Sequence, residues 1–259
     1  MSKDISKILK GWDFDADEVS VRVVHGDDGR EKIQLRLDMG LLQMEMDGRP
    51  DGQRPEGYES WLEYYQGKQR QHDEQNLDDP PFELDDGDCS RLWREAVQYY
   101  HRYLSFWHLD RYDLCARDTQ RNLRLFAFAK QYAKGERNKF QFDQWRPYVT
   151  MMSARAVATP LVGEKEYGRA LHVIEAGIDG IKDFLDEYGQ TERADECVEL
   201  AHLERWRDEV LRKAARSGRG RPEHVLEGLR RQLQEAVARE RFEEAAQLRD
   251  QIRRLTEPS

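Results

Sequence analysis

The chain has 259 residues, 38% hydrophobic and 36% charged, with 42 lysines and arginines against 51 aspartates and glutamates for a net charge of -9. That length and apolar content suffice for one large folded domain or two moderate ones, and the lack of any long apolar run argues against a membrane-spanning helix. The negative balance disfavours the surface as a whole as a nucleic-acid binder, because phosphate contacts need a concentrated positive field.

The opening residues Met1-Ser2-Lys3-Asp4-Ile5 lead straight into mixed sequence, without the charged-then-apolar pattern of a secretory leader, so a cytoplasmic protein is expected. Cys89, Cys115 and Cys197 are odd in number, far apart and without CxxC spacing. They read as buried thiols, not as a disulfide framework or a zinc ribbon.

Residues 1–72 have the period of a small antiparallel sheet with a covering helix. Val19, Val21 and Val23 alternate with polar residues, and after the turn Asp27-Asp28-Gly29 so do Ile33, Leu35 and Leu37. Gly40 interrupts the alternation, which predicts a bulge or corner before a third stretch carrying Leu42, Met44 and Met46. A helix from Tyr58 to about Gln71, with Trp61, Leu62 and Tyr65 on one side, is the expected cover for the apolar face.

Between sheet and helix lies the connector Asp47-Gly48-Arg49-Pro50-Asp51-Gly52-Gln53-Arg54-Pro55-Glu56-Gly57. Its carboxylates and glycines suggest a calcium loop, but Arg49 and the prolines stand where ligands belong and no Glu closes the pattern. A stiff turn locked by Arg49 or Arg54 pairing with Asp51 or Asp47 is the favoured reading, with an anionic ligand on those arginines as the alternative.

Residues 73–89 hold Asp73, Glu74, Asp78, Asp79, Glu83, Asp85, Asp86 and Asp88 around Pro80-Pro81, with no basic residue, and read as a solvated acidic linker. From 90 to 214 the pattern is an antiparallel helical array, so the fold class is α+β, mainly α. Leu92, Trp93, Ala96, Val97, Tyr100, Tyr103, Leu104 and Trp107 mark one helix, and Tyr112, Ala116, Thr119, Leu123, Phe126 and Ala127 the next. Phe142, Trp145, Tyr148, Val149 and Met152 mark a third, which Thr159-Pro160 should end. Helices over about Glu164–Tyr188 and Thr191–Ala214 complete the set, the first with Tyr167, Ala170, Leu171, Ile174, Ile178, Ile181 and Leu185 inward. Tyr167-x-x-Ala170-Leu171-x-x-Ile174-x-x-Gly177-Ile178 is weakly similar to the second helix of a tetratricopeptide repeat, echoed at Tyr112-x-x-Cys115-Ala116-x-x-Thr119. The repeat period of about 34 residues is not met, so long helical hairpins are expected instead of a true repeat.

His172-x-x-Glu175 and Glu199-x-x-His202 are the one pair of motifs with metal-ligand spacing, on what should be adjacent helices. In a chain with 51 acidic residues such spacings arise by chance, and no further inward carboxylates accompany them, so no metal site is assigned. No GxSxG, GxxxxGK[ST] or GxGxxG occurs, and neither catalytic residues nor a cofactor or small-molecule substrate is assigned.

Residues 215–222 form a basic tether. The run Arg212, Lys213, Arg216, Arg219 and Arg221 contains no acid, and its favoured role is flexible connection over tracking phosphates. Residues 223–256 are a helical hairpin. Leu226, Leu229, Leu233 and Val237 share one face of the first arm, and Phe242, Ala245, Leu248, Ile252 and Leu255 one face of the second. Two arms of about 15 residues cannot enclose a core, so a partner surface is implied.

The string Phe242-Glu243-Glu244-Ala245-Ala246-Gln247-Leu248-Arg249-Asp250-Gln251-Ile252, behind its Leu-rich arm, resembles the UVR motif named after the bacterial excision-repair proteins UvrB and UvrC. In that family the motif is a hairpin that pairs with another UVR hairpin or a related helical surface. The resemblance implies that Phe242 is the buried anchor at the turn, that Ala245 and Ala246 allow close helix approach, and that Arg249 with Asp250 fixes orientation. The expectation is a non-enzymatic adaptor that recruits a protein partner, or a second copy, through the hairpin. Two further readings stand behind it: an accessory of bacterial nucleotide excision repair that also touches DNA, and a metal-binding helical-bundle enzyme.

Overall fold

The computed structural model describes residues 4–75 and 80–217 and, beyond them, Arg230, Leu233, Gln234, Val237, Ala246, Leu248, Arg249 and Ile252. Eight α-helices and one three-stranded antiparallel sheet stand among these residues, an α+β fold that is mainly α. The chain divides into two compact units, Met1–Ala156 and Val157–Ser259. The helical periodicity carries no sign of that boundary, which falls inside one helix.

In the first unit a short helix α1 (Ser6–Leu9) precedes strands β1 (Val21–His25), β2 (Glu31–Leu37) and β3 (Gly40–Glu45), in sheet order β1-β2-β3. Val21 pairs with Leu35, Val23 with Ile33, and Ile33 with Met44, so the apolar residues of alternate positions meet on one face. Gly40 does not mark a bulge. Leu37 pairs directly with Gly40, and Asp38-Met39 form a two-residue hairpin turn. On the opposite face the side chains of Arg22, Gln34 and Gln43 form a hydrogen-bonded row, with the Arg22 guanidinium 3.9 Å from the Trp12 ring. Gln34 is thereby buried with its amide satisfied.

The remaining helices of this unit are α2 (Trp61–Gln75), α3 (Asp86–His108), α4 (Tyr112–Tyr132), α5 (Glu136–Asp143) and the start of α6 (Arg146–Gly163). β2 packs against α3, which corrects the expectation that α2 covers the sheet. The reason is chemical: α3 offers the longer apolar face, with Leu92, Ala96, Tyr99, Tyr103 and Phe106 buried, whereas α2 buries only Leu62 and Tyr65.

The end of the acidic stretch is structure, not solvated linker. Leu84 is fully buried, donating its backbone N–H to Tyr132 O at 2.8 Å and accepting from Lys134 N–H at 3.0 Å. Asp85 caps α3 by accepting from Asp88 N–H at 2.8 Å, while Asp88 accepts in return from Asp85 N–H at 3.2 Å. Acids gathered before a helix complement its N-terminal dipole as readily as they solvate a linker. The predicted third helix is two, α5 and α6, and Pro160 lies inside α6 instead of ending it. Pro160 sits in the last turn, where the missing N–H removes a single helical bond.

In the second unit α7 (Tyr167–Glu187) packs against α8 (Val198–Ser217). All seven residues expected inward on α7 are buried, together with Gly177 and Phe184. Residues 191–196 form a 3-10 turn, so α8 starts later than the periodicity implied.

Candidate functional site

The connector from β3 to α2 is held by a buried charge network on the facing sides of α3 and α4. Glu95, fully buried on α3, accepts at Oε2 from Trp61 N–H (2.8 Å) and at Oε1 from Leu62 N–H (3.2 Å), satisfying the first turn of α2. Its carboxylate also receives Arg121 from α4 and lies 3.3 Å from Nε of Arg49. Ser60 Oγ accepts from Glu63 N–H at 3.4 Å and from Arg121 at 3.2 Å.

Beside it, Arg102 grips Asp118 through Nε (2.6 Å) and Nη2 (3.0 Å), both residues being about 1% exposed. The remaining arm of Arg102 donates to the carbonyls of Glu45 (3.0 Å) and Gly48 (2.8 Å). Tyr99 Oη donates to the same Gly48 carbonyl at 3.2 Å, and Arg117 reaches Asp47 at 2.6 Å and the Met46 carbonyl at 2.8 Å. A bidentate guanidinium with four of its five N–H donors placed is close to the geometry in which a buried pair offsets its desolvation.

Arg49 pairs with Asp51 at 3.2 Å, as the sequence expectation had it, but Asp47 is taken by Arg117 and not by Arg54. Arg54 is exposed and has no ion-pair partner among the described residues. Sequence reasoning missed Glu95, Arg102, Asp118, Arg121 and the buried Asn122, whose side-chain amide donates to the Ala96 carbonyl at 2.9 Å. Their signal was present: each falls within the apolar stripe of its helix, Glu95 and Arg102 flanking Tyr99, and Asp118, Arg121 and Asn122 between Cys115 and Leu125.

Two cavities adjoin this network. One, of 370 Å³, is walled by Trp93, Tyr100, Phe126, Trp145 and Tyr148 with His101 at its edge. Burial holds His101 below the ordinary imidazole value. The other, of 410 Å³, is lined by Arg49, Arg54, Arg91 and Arg94 with Trp61, Gln98 and a single carboxylate, Glu56.

The motifs with metal-ligand spacing do not converge. His172 is exposed, Glu175, Glu199 and His202 are half-buried, and no group of three or more His, Cys, Asp or Glu side chains among the described residues is placed to hold a metal. Cys115 and Cys89 are buried thiols, pushed up to about 12 and about 11 by loss of solvent, while Cys197 is half-buried. Among the described residues no helix is long and apolar enough to cross a membrane.

Of the predicted interaction residues, Leu248 is buried, Leu233 and Ile252 are half-buried, and Val237, Ala246 and Arg249 are exposed. Leu226, Leu229, Phe242, Ala245, Asp250 and Leu255 lie outside the described residues. No curated protein and no solved structure matches the chain. Residues 223–257 match the family model of the UvrB/uvrC motif, which occurs in UvrB, UvrC and related proteins and suggests an interaction role with protein or DNA.

Proposed function

We propose that the protein is a non-enzymatic adaptor whose C-terminal hairpin recruits a protein partner or a second copy of the chain. The observation that carries this reading is the UvrB/uvrC motif over residues 223–257, laid on a segment whose apolar residues recur at helical spacing. A stripe of that length has too little surface to form its own core, so its affinity is directed at another helical surface. Phe242, the one large aromatic of the segment, is the expected hot spot, because aromatic anchors dominate such interfaces.

The test compares intact protein with a chain ending at Gly218 and with Phe242→Ala in affinity capture and in light scattering after gel filtration. Loss of the captured partner or of self-association in both variants, with the urea midpoint of Phe242→Ala unchanged, supports recruitment. Full binding by Phe242→Ala refutes it. The basic run Arg212, Lys213, Arg216, Arg219 and Arg221 supports a second reading, contact with DNA in excision repair. Duplex DNA binding that weakens steeply with salt and disappears on neutralising those five residues would favour that reading over the first.

A further inference from the structure

We propose that the 410 Å³ cavity between the connector and α3 binds a small molecule through a phosphoryl group, with Arg54 and Arg94 as its ligands. Four guanidiniums line this cavity against one carboxylate, in a chain whose net charge is -9. They are not equivalent. Arg49 is spent on Asp51 and Glu95, and Arg91 on Asp88 and the Tyr65 hydroxyl. Arg54 has no ion-pair partner among the described residues, and Arg94 donates only through Nε to the Ser90 carbonyl. Two unspent planar forks are therefore presented to one space, which is the chemistry that recognises a phosphoryl group by paired hydrogen bonds.

The cavity is also built to keep that arrangement. Arg49, nine-tenths buried in the cavity wall, is held through Nε by Glu95 at 3.3 Å and through Nη2 by Asp51 at 3.2 Å. Below the floor, Glu95 fixes Arg49 and the start of α2, so the cationic rim does not collapse onto its own counter-charge. Glu56 stands on the rim with φ of 51°, held there by the turn between Pro55 and Gly57. Its carboxylate opposes anion entry and sets a built-in control.

Inorganic pyrophosphate is the probe, titrated into the full chain at 0.15 M KCl and followed by calorimetry and by tryptophan fluorescence, since Trp61 lines the cavity. The expected result is saturable binding, weakened at least tenfold in Arg54→Gln and in Arg94→Gln and strengthened in Glu56→Gln. Arg124→Gln, on the exposed side of α4, should bind like the parent. Citrate in place of pyrophosphate separates phosphoryl preference from general attraction of polyanions. No saturable pyrophosphate binding, an equal effect of Arg124→Gln, or citrate binding as tight as pyrophosphate overturns the proposal. Because Arg54 and Arg94 are exposed, thermal midpoints within about 2 °C of the parent will show that binding, not folding, has changed.

Discussion

Replacing Glu95 by Gln tests whether the buried network is what holds the first unit together. The substitution keeps shape but removes the charge that faces Arg121 and Arg49, whose side chains are 6% and 10% exposed. Arg49 retains Asp51 at 3.2 Å; Arg121 retains the Ser60 hydroxyl and the Tyr99 ring but no carboxylate. Breaking one side of a buried pair costs about 3–5 kcal/mol, and the glutamine oxygen can accept from only one of the Trp61 and Leu62 N–H groups at full strength, adding about 1 kcal/mol. A loss near 4–5 kcal/mol is a large share of the roughly 5–15 kcal/mol that a native fold commands. Five of the six tryptophans lie in the unit Met1–Ala156, so urea unfolding followed by fluorescence reports mainly on it. Adding Arg121→Met should restore part of the loss, with a coupling of at least about 1 kcal/mol. A single-variant loss below about 1 kcal/mol, or strict additivity, would show that the network is incidental to stability.

Gly48 has φ of 65° with open space where a Cβ would stand, so Gly48→Ala should cost about 1 kcal/mol from backbone strain alone, measured as a shift in urea midpoint at constant slope. His101 and His108 are both held below the ordinary imidazole value by burial. The unfolded chain therefore takes up protons first as pH falls through about 6.5, and stability present at pH 7.5 should decline toward pH 5. His101→Gln should flatten that decline in a Tm series, and a slope unchanged by the substitution would rule out His101 as its source. Cys197 should react with a thiol reagent in the native state well before Cys89 and Cys115, whose burial suppresses the thiolate. Equal rates for all three, counted by mass spectrometry, would contradict the burial described.

How much of this was legible in the sequence depended on whether the physics was local. The β1–β2 hairpin and the inward face of α7 could be read because side-chain period and burial coincide there: Ile33 and Leu35 on one strand, Ile174, Ile178 and Ile181 on one helix. Gly40 was misread because a glycine that breaks an alternation looks the same at a bulge and at the first residue after a tight turn; only the pairing of Leu37 with Gly40 distinguishes them. Asp85 and Asp88 were read as solvated because composition does not say that their carboxylates would exchange hydrogen bonds with each other's backbone.

The network around Glu95 escaped for a deeper reason. A carboxylate or guanidinium on an apolar stripe is read as a solvated intrusion unless its partner is known, and the partners here are distant: Arg121 is 26 residues from Glu95, and the Gly48 carbonyl is 54 from Arg102. Two opposite charges on the buried faces of two adjacent helices are nonetheless a specific pattern, because each alone would be costly and together they are satisfied. Here an acid precedes a base along α3, Glu95 then Arg102, and in the same order along α4, Asp118 then Arg121, which in an antiparallel pair brings unlike charges level. The same register fixes the connector between the two ion pairs, with Arg49 over Glu95 and the Gly48 carbonyl over Arg102. The arginines spent on this network leave Arg54 and Arg94 as the charges available to a ligand.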